Sequence, residues 1–193
     1  PKKLPHSGGK VDFMAGSVLS RRMSEFLGVA FFATALIWLV SLTTYDSSDP
    51  AWFFSAATAE LPNNFAGRVG AFLAELSYQL FGYTALTIPV VVGAIGWHSF
   101  WCRPLDAAYT KAVSILLITA SLASFLSLAF GTVELSGTSI DAGGTVGAWL
   151  ANLLAEYLNR TGSIIFILTV LFLAIIISTQ VSFGRIFATA WKS

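Results

Sequence analysis

The sequence predicts an all-α membrane protein: four transmembrane helices forming two pseudo-repeated hairpins, each with an amphipathic extracytoplasmic helix before its second span. Three observations predict it. Residues are 55% hydrophobic and only 11% charged, less than half the ~25% charge content of soluble domains. Four stretches, about 26–45, 81–101, 112–131 and 162–180, carry no Asp, Glu, Lys or Arg in their central parts, and each supplies the ~20 residues a helix needs to cross hydrocarbon. Finally, GRVGAFLAEL at 67–76 and GTVGAWLANL at 144–153 agree at seven of ten positions, 77 residues apart.

Residues 1–24 read as a cytoplasmic basic arm. Its first ten residues hold three Lys, two Gly and two Pro, a composition that predicts a solvated tail; three Lys near anionic lipid would add only ~3 kcal/mol. Arg21 and Arg22 stand just before the first span and read as its cytoplasmic anchors, because the spacing to Phe26 and Leu27 and the length of the apolar run do not suit a twin-arginine export signal.

The first span ends in Tyr45, Asp46, Ser47, Ser48, Asp49, Pro50, Ala51 and Trp52. Tyr and Trp favour the headgroup level, and Asp before Pro favours a turn that stops the helix. Two Asp so close together lack the further oxygen ligands and closing Glu of a calcium loop.

In each copy of the repeat the apolar residues recur at helical spacing: Val69, Phe72, Leu73, Leu76 and Leu80, then Val146, Trp149, Leu150, Leu153, Leu154 and Leu158. Each copy leads directly into a membrane segment. Two readings stand open: a helix lying in the lipid interface, or one packing on a neighbouring subunit or partner. On the second reading Phe72, Leu73, Leu76, Trp149, Leu150 and Leu153 make the contacts.

Within the spans, Pro89, Gly93 and Gly96 would suit a kinked transport path, but small residues also let membrane helices approach closely. Ser114, Ser121, Ser124 and Ser127 fit the same packing face. His98, between Trp97 and Trp101 at the membrane edge, reads as interfacial, and His6 has no partner. Cys102 is the one cysteine and excludes an internal disulfide. Asn159, Arg160 and Thr161 form a glycosylation sequon, but it abuts the last span. No nucleophile elbow, two-His metal motif or P-loop is present, so no catalytic, cofactor-binding or metal residue is assigned and the chain reads as non-enzymatic.

Charge sets the orientation. Lys2, Lys3, Lys10, Arg21, Arg22, Arg103, Lys111, Arg185 and Lys192 fall on one side, nine of the eleven basic residues. Arg68 and Arg160 fall on the other, with Asp46, Asp49, Glu60, Glu75, Glu134, Asp141 and Glu156. The positive-inside rule puts both termini in the cytoplasm and two acidic loops outside.

This layout resembles the amino-terminal membrane domain of the FtsK/SpoIIIE DNA translocases. The resemblance rests on Arg21 and Arg22 before the first span, on TYDSSDPAW after it (the family's Thr-Tyr-x-x-x-Asp-Pro-x-Trp edge, with Tyr45, Asp49, Pro50 and Trp52), on GRVGAFLAELSYQLFGYTALTIP, and on AGGTVGAWLANLL before the fourth span. It covers about residues 21–180. It implies a septal anchor in the bacterial inner membrane, acting in cell division and chromosome partition: a homo-oligomer, hexameric like the motor it carries, that contacts the bilayer and other division proteins. Residues 25–181 would be the membrane domain, and 182–193 the start of a linker to a missing motor. ATP and Mg would be cofactors only of that motor, and DNA would be contacted only through it. The rival reading is a small transporter or channel built from two repeated hairpins; the absence of charge inside the spans counts against it.

Overall fold

Four helical stretches are long and apolar enough to cross a bilayer: Arg21–Thr43, Gly67–Phe100, Ala108–Phe130 and Gly144–Thr179. The computed structural model describes residues 8–49, 61–102 and 108–179, with side chains from residue 21 onward. In chain order the elements are helix α1 (Gly8–Thr43), helix α2 (Gly67–Phe81), a 3-10 segment (Gly82–Leu86), helix α3 (Thr87–Phe100), helix α4 (Ala108–Phe130), strands β1 (Thr132–Leu135) and β2 (Thr138–Asp141), and helix α5 (Gly144–Thr179).

Three details differ from the sequence reading. Helix α1 starts at Gly8, inside the stretch expected as solvated tail, and α4 starts at Ala108 rather than 112; neither added stretch contains a Pro to stop a helix. The all-α reading also lacked a hairpin. Strands β1 and β2 pair antiparallel, Thr132 with Asp141 through Leu135 with Thr138, around Ser136 and Gly137, whose φ angles of 49° and 80° are the positive pair that two-residue hairpin turns need.

The chain divides into two compact units, residues 1–36 with 89–105, and residues 37–88 with 106–193. In the smaller one α1 and α3 pack through glycine. A Cβ on Gly28 would stand 2.6 Å from the backbone nitrogen of Phe100, and one on Gly96 would stand 3.1 Å from the carbonyl of Gly28, so these backbones approach as closely as small-residue membrane interfaces allow. The Ser24 hydroxyl donates to the Ser99 carbonyl at 2.7 Å, and Phe32 meets Trp97 edge to face.

In the larger unit α4 and α5 pack along a small-residue seam. Ser114, Ser121, Ala123 and Ser124 are buried on α4, with Gly147, Ala151, Ser163, Ile167 and Ala174 on α5. Ser114, Ser124 and Ser163 each donate to the carbonyl four residues earlier, at 2.7, 2.8 and 2.7 Å. Their hydroxyls are thereby satisfied within their own helices, and the seam works as packing. Gly147 sits against Ala123 and Ser127. Thirteen residues later, about 20 Å along a straight helix, Arg160 would be carried far down α4. Instead its guanidinium donates to the Leu128 carbonyl at 2.8 Å, because α5 breaks at Asn159 (φ 53°, ψ 170°). Segment 144–158 therefore lies across the end of α4, and 160–179 descends alongside it.

Candidate functional site

Tyr45 and Asp49 of the membrane-edge signature and the two repeated helices all fall in the larger unit. Helix α2 meets the end of α1 through four partners: Gly70 near Ser41, Glu75 at Tyr45, Ser77 at Trp38 and Tyr78 at Leu42. They follow no order along α1, as expected of a helix lying across its neighbour rather than beside it. The Tyr45 hydroxyl donates to Glu75 at 2.5 Å, Trp38 Nε1 to the Ser77 hydroxyl at 3.1 Å, and the Tyr78 hydroxyl to the Leu42 carbonyl at 3.1 Å. Leu42, Ala74, Tyr78 and Ala85 form the buried cluster beneath, flanked by Leu135 and Ile140 of the hairpin.

The acidic residues of the edge hold backbone. Asp49 accepts from the amides of Asn63 and Asn64 at 2.7 and 2.9 Å, clamping the end of the first helix to the approach of the second. Asp46 accepts from the Ser48 amide and hydroxyl and from Asn63; chiefly the Ser48 amide, then that hydroxyl, hold its carboxyl below the ordinary value of 3.8. Pro50 and Trp52 lie outside the described residues.

Sequence reasoning missed Asn64, which is only 3% exposed. Its amide donates to the carbonyls of Ser41 and Thr44 at 2.8 and 3.2 Å, and its Oδ1 accepts from the Ala66 amide at 3.0 Å. An Asn just ahead of a helical pattern was the available signal.

The residues expected to make subunit or partner contacts fall on two levels. Leu76, Trp149 and Leu153 are exposed, and Phe72, Leu73 and Leu150 are half-buried. What faces inward is the small-residue stripe: Gly70, Ala71, Ala74 and Ser77 on α2, and Gly147 and Ala151 on α5. The large apolar side chains are thus not the core of this fold. Arg21 and Arg22 are both exposed, and Arg21 pairs with Glu25 at 3.1 Å. Among the described residues no group of three His, Cys, Asp or Glu side chains could hold a metal ion.

Four apolar spans, a packing seam of small residues and a polar edge whose hydrogen bonds go to nearby backbone and side chains of the same chain define a multi-span membrane domain. The chain belongs to the family described as the 4TM region of DNA translocase FtsK/SpoIIIE, whose model matches residues 20–191. It is similar to a DNA translocase FtsK of Pseudomonas syringae pv. syringae, 26% identical over 182 residues, 90% of this chain and 22% of that protein. It is also similar to those of Rickettsia prowazekii, 26% over 168 residues (87% and 21%), and Shewanella oneidensis, 29% over 167 residues (83% and 18%). The chain thus spans about a fifth of the length of these relatives. No solved structure matches it.

Proposed function

We propose that this domain anchors a DNA translocase in the bacterial inner membrane at the division septum, serving cell division and chromosome segregation. The observation that carries the reading is the family match over four spans, together with the distribution of basic residues, nine of eleven on one side, which supports cytoplasmic termini. The domain supplies placement, self-association and contacts with other division proteins. ATP hydrolysis, its Mg ion and DNA contact belong to the rest of such proteins. Tethering copies in a membrane raises their effective concentration and so favours assembly of the attached motor. The helices α2 and 144–158 then lie on the outer side, where Leu76, Trp149 and Leu153 are exposed to subunits or partners and Phe72, Leu73 and Leu150 lie half-buried beside them.

The test is localisation of a fluorescent fusion of the full-length protein in dividing cells, with and without this domain. A band at midcell that is lost on deletion is expected; a uniform outline in both cases would refute the septal role.

A further inference from the structure

The repeat reaches beyond the ten aligned positions. Asn64, Gly67, Gly70, Ala74 and Gly82 stand 77 positions before Asp141, Gly144, Gly147, Ala151 and Asn159. Asn64 and Asp141 each accept from the amide two residues on, at 3.0 and 3.1 Å. Gly67 and Gly144 both have φ 67°, and Gly82 and Asn159 break their helices at φ 55° and 53°. A Cβ on either Gly70 or Gly147 would stand 2.9 Å from a serine hydroxyl of the preceding span, Ser41 or Ser127. The two outer helices therefore share one backbone course.

The two copies meet end to start. A Cβ on Gly144 would stand 2.5 Å from the nitrogen of Gly82, and the Tyr83 amide donates to the Ala142 carbonyl at 3.0 Å. If a twofold axis related the copies, the same contact would be made a second time, between the end of the second copy (159–161) and the start of the first (65–67). It is not made. Among the described residues nothing lies within 4 Å of a Cβ built on Gly67. Phe65 is 84% exposed where its counterpart Ala142 is 1% exposed, and residues 156–161 are all exposed where Gly82 and Thr84 are buried. Among the described residues the junction is closed inside the chain and open at both of its outer ends. Arg68 at one end and Glu156 at the other are exposed, Glu156 lying in the same segment as Arg160, and among the described residues neither Arg68 nor Glu156 has an ion pair.

We propose that the break at Asn159–Thr161 docks on the start of α2, Phe65–Val69, of a second copy of this chain, repeating between copies the Gly82–Gly144 junction made within each. This rests on the self-association read under Proposed function and specifies its surface. The contact is head-to-tail, so it uses two different patches and propagates from copy to copy. Arg160 takes the place of Tyr83 and Phe65 that of Ala142, while Arg68 and Glu156 approach across the junction. Lipid is the competing occupant of these open ends.

The test uses full-length protein with Cys102→Ser, coexpressed as a Phe65→Cys chain and an Arg160→Cys chain bearing different tags. Residues joined like Ala142 and Tyr83 by a backbone hydrogen bond stand within disulfide range. Oxidation in membranes is expected to give a mixed dimer carrying both tags, and a chain bearing both substitutions a ladder. Arg68→Glu should reduce the ladder and added Glu156→Arg should restore it. If the protein self-associates by mass in nanodiscs yet no mixed dimer forms and the charge swap does nothing, the junction is refuted while self-association stands. If it is monomeric at every concentration in membranes, both are refuted.

Discussion

Gly144→Ala and Gly67→Ala form a matched pair that isolates the internal junction. Both glycines hold φ 67°, so alanine at either pays the left-handed backbone cost of about 1–2 kcal/mol. At Gly67 no described atom lies within 4 Å of the new methyl, and that cost is the whole effect. At Gly144 the methyl would stand 2.5 Å from the nitrogen of Gly82 and from the carbonyl carbon and oxygen of Leu80. These are all backbone atoms that cannot rotate away, and overpacking of this kind adds about 1–3 kcal/mol. Gly144→Ala is therefore expected to lose about 2–5 kcal/mol and Gly67→Ala about 1–2 kcal/mol. The assay is reversible unfolding in mixed micelles by titration with SDS, followed by far-UV circular dichroism at dilutions where copies are separate. Equal losses in the two variants would show that the Gly82–Gly144 contact does not constrain the fold.

Other substitutions probe the edge and the packing. Asp49→Ala removes an acceptor shared by two amides and should cost about 1.5–3 kcal/mol, with faster hydrogen exchange at Asn63 and Asn64 and unchanged exchange in α4. Asn64→Ala leaves the Ala66 amide and the Ser41 carbonyl without a buried partner and should cost about 2–4 kcal/mol by the same unfolding assay. Asp46 has a lowered folded value, so its contribution is present above the ordinary carboxylate value of 3.8 and is lost as pH falls through the lower folded one. Asp46→Asn should accordingly flatten the stability profile below about pH 4 and leave its shape above pH 6 unchanged. Gly28→Val would drive side-chain atoms into the Phe100 backbone, 2.6 Å from a built Cβ, and should part α1 from α3, read as a shift in tryptophan emission from Trp97.

The spans were legible because one signal, a long uncharged apolar run, dictates a helix wherever backbone polar groups meet lipid. The repeat was legible as sequence identity, but its physical content was not. Large apolar residues at helical spacing pointed to lipid or a neighbouring subunit as what they meet, and Leu76, Trp149 and Leu153 are exposed; that pattern did not reveal that the helices sit down on Gly70, Ala74, Gly147 and Ala151. Close approach in a membrane protein rewards small side chains over large ones, and hydrophobic periodicity weighs them the other way. The hairpin at 132–141 was missed because four-residue strands are too short to stand out, although Ser-Gly between alternating residues was a usable sign. The edge signature was recognisable by residue type, whereas Asp49 accepts from an amide fourteen positions away and Asn64 donates to a carbonyl twenty-three positions away, which no local pattern reveals.

The proposed anchor has four spans, both outer helices on the extracytoplasmic face and both termini inside. It is tested most directly by labelling single cysteines, introduced in the Cys102→Ser background, with a membrane-impermeant maleimide in intact spheroplasts. Thr145→Cys and Arg68→Cys are predicted to label in intact cells, and Arg22→Cys and Tyr109→Cys only after permeabilisation. The reverse pattern, or the Arg68 and Thr145 positions labelling from opposite sides, would contradict it.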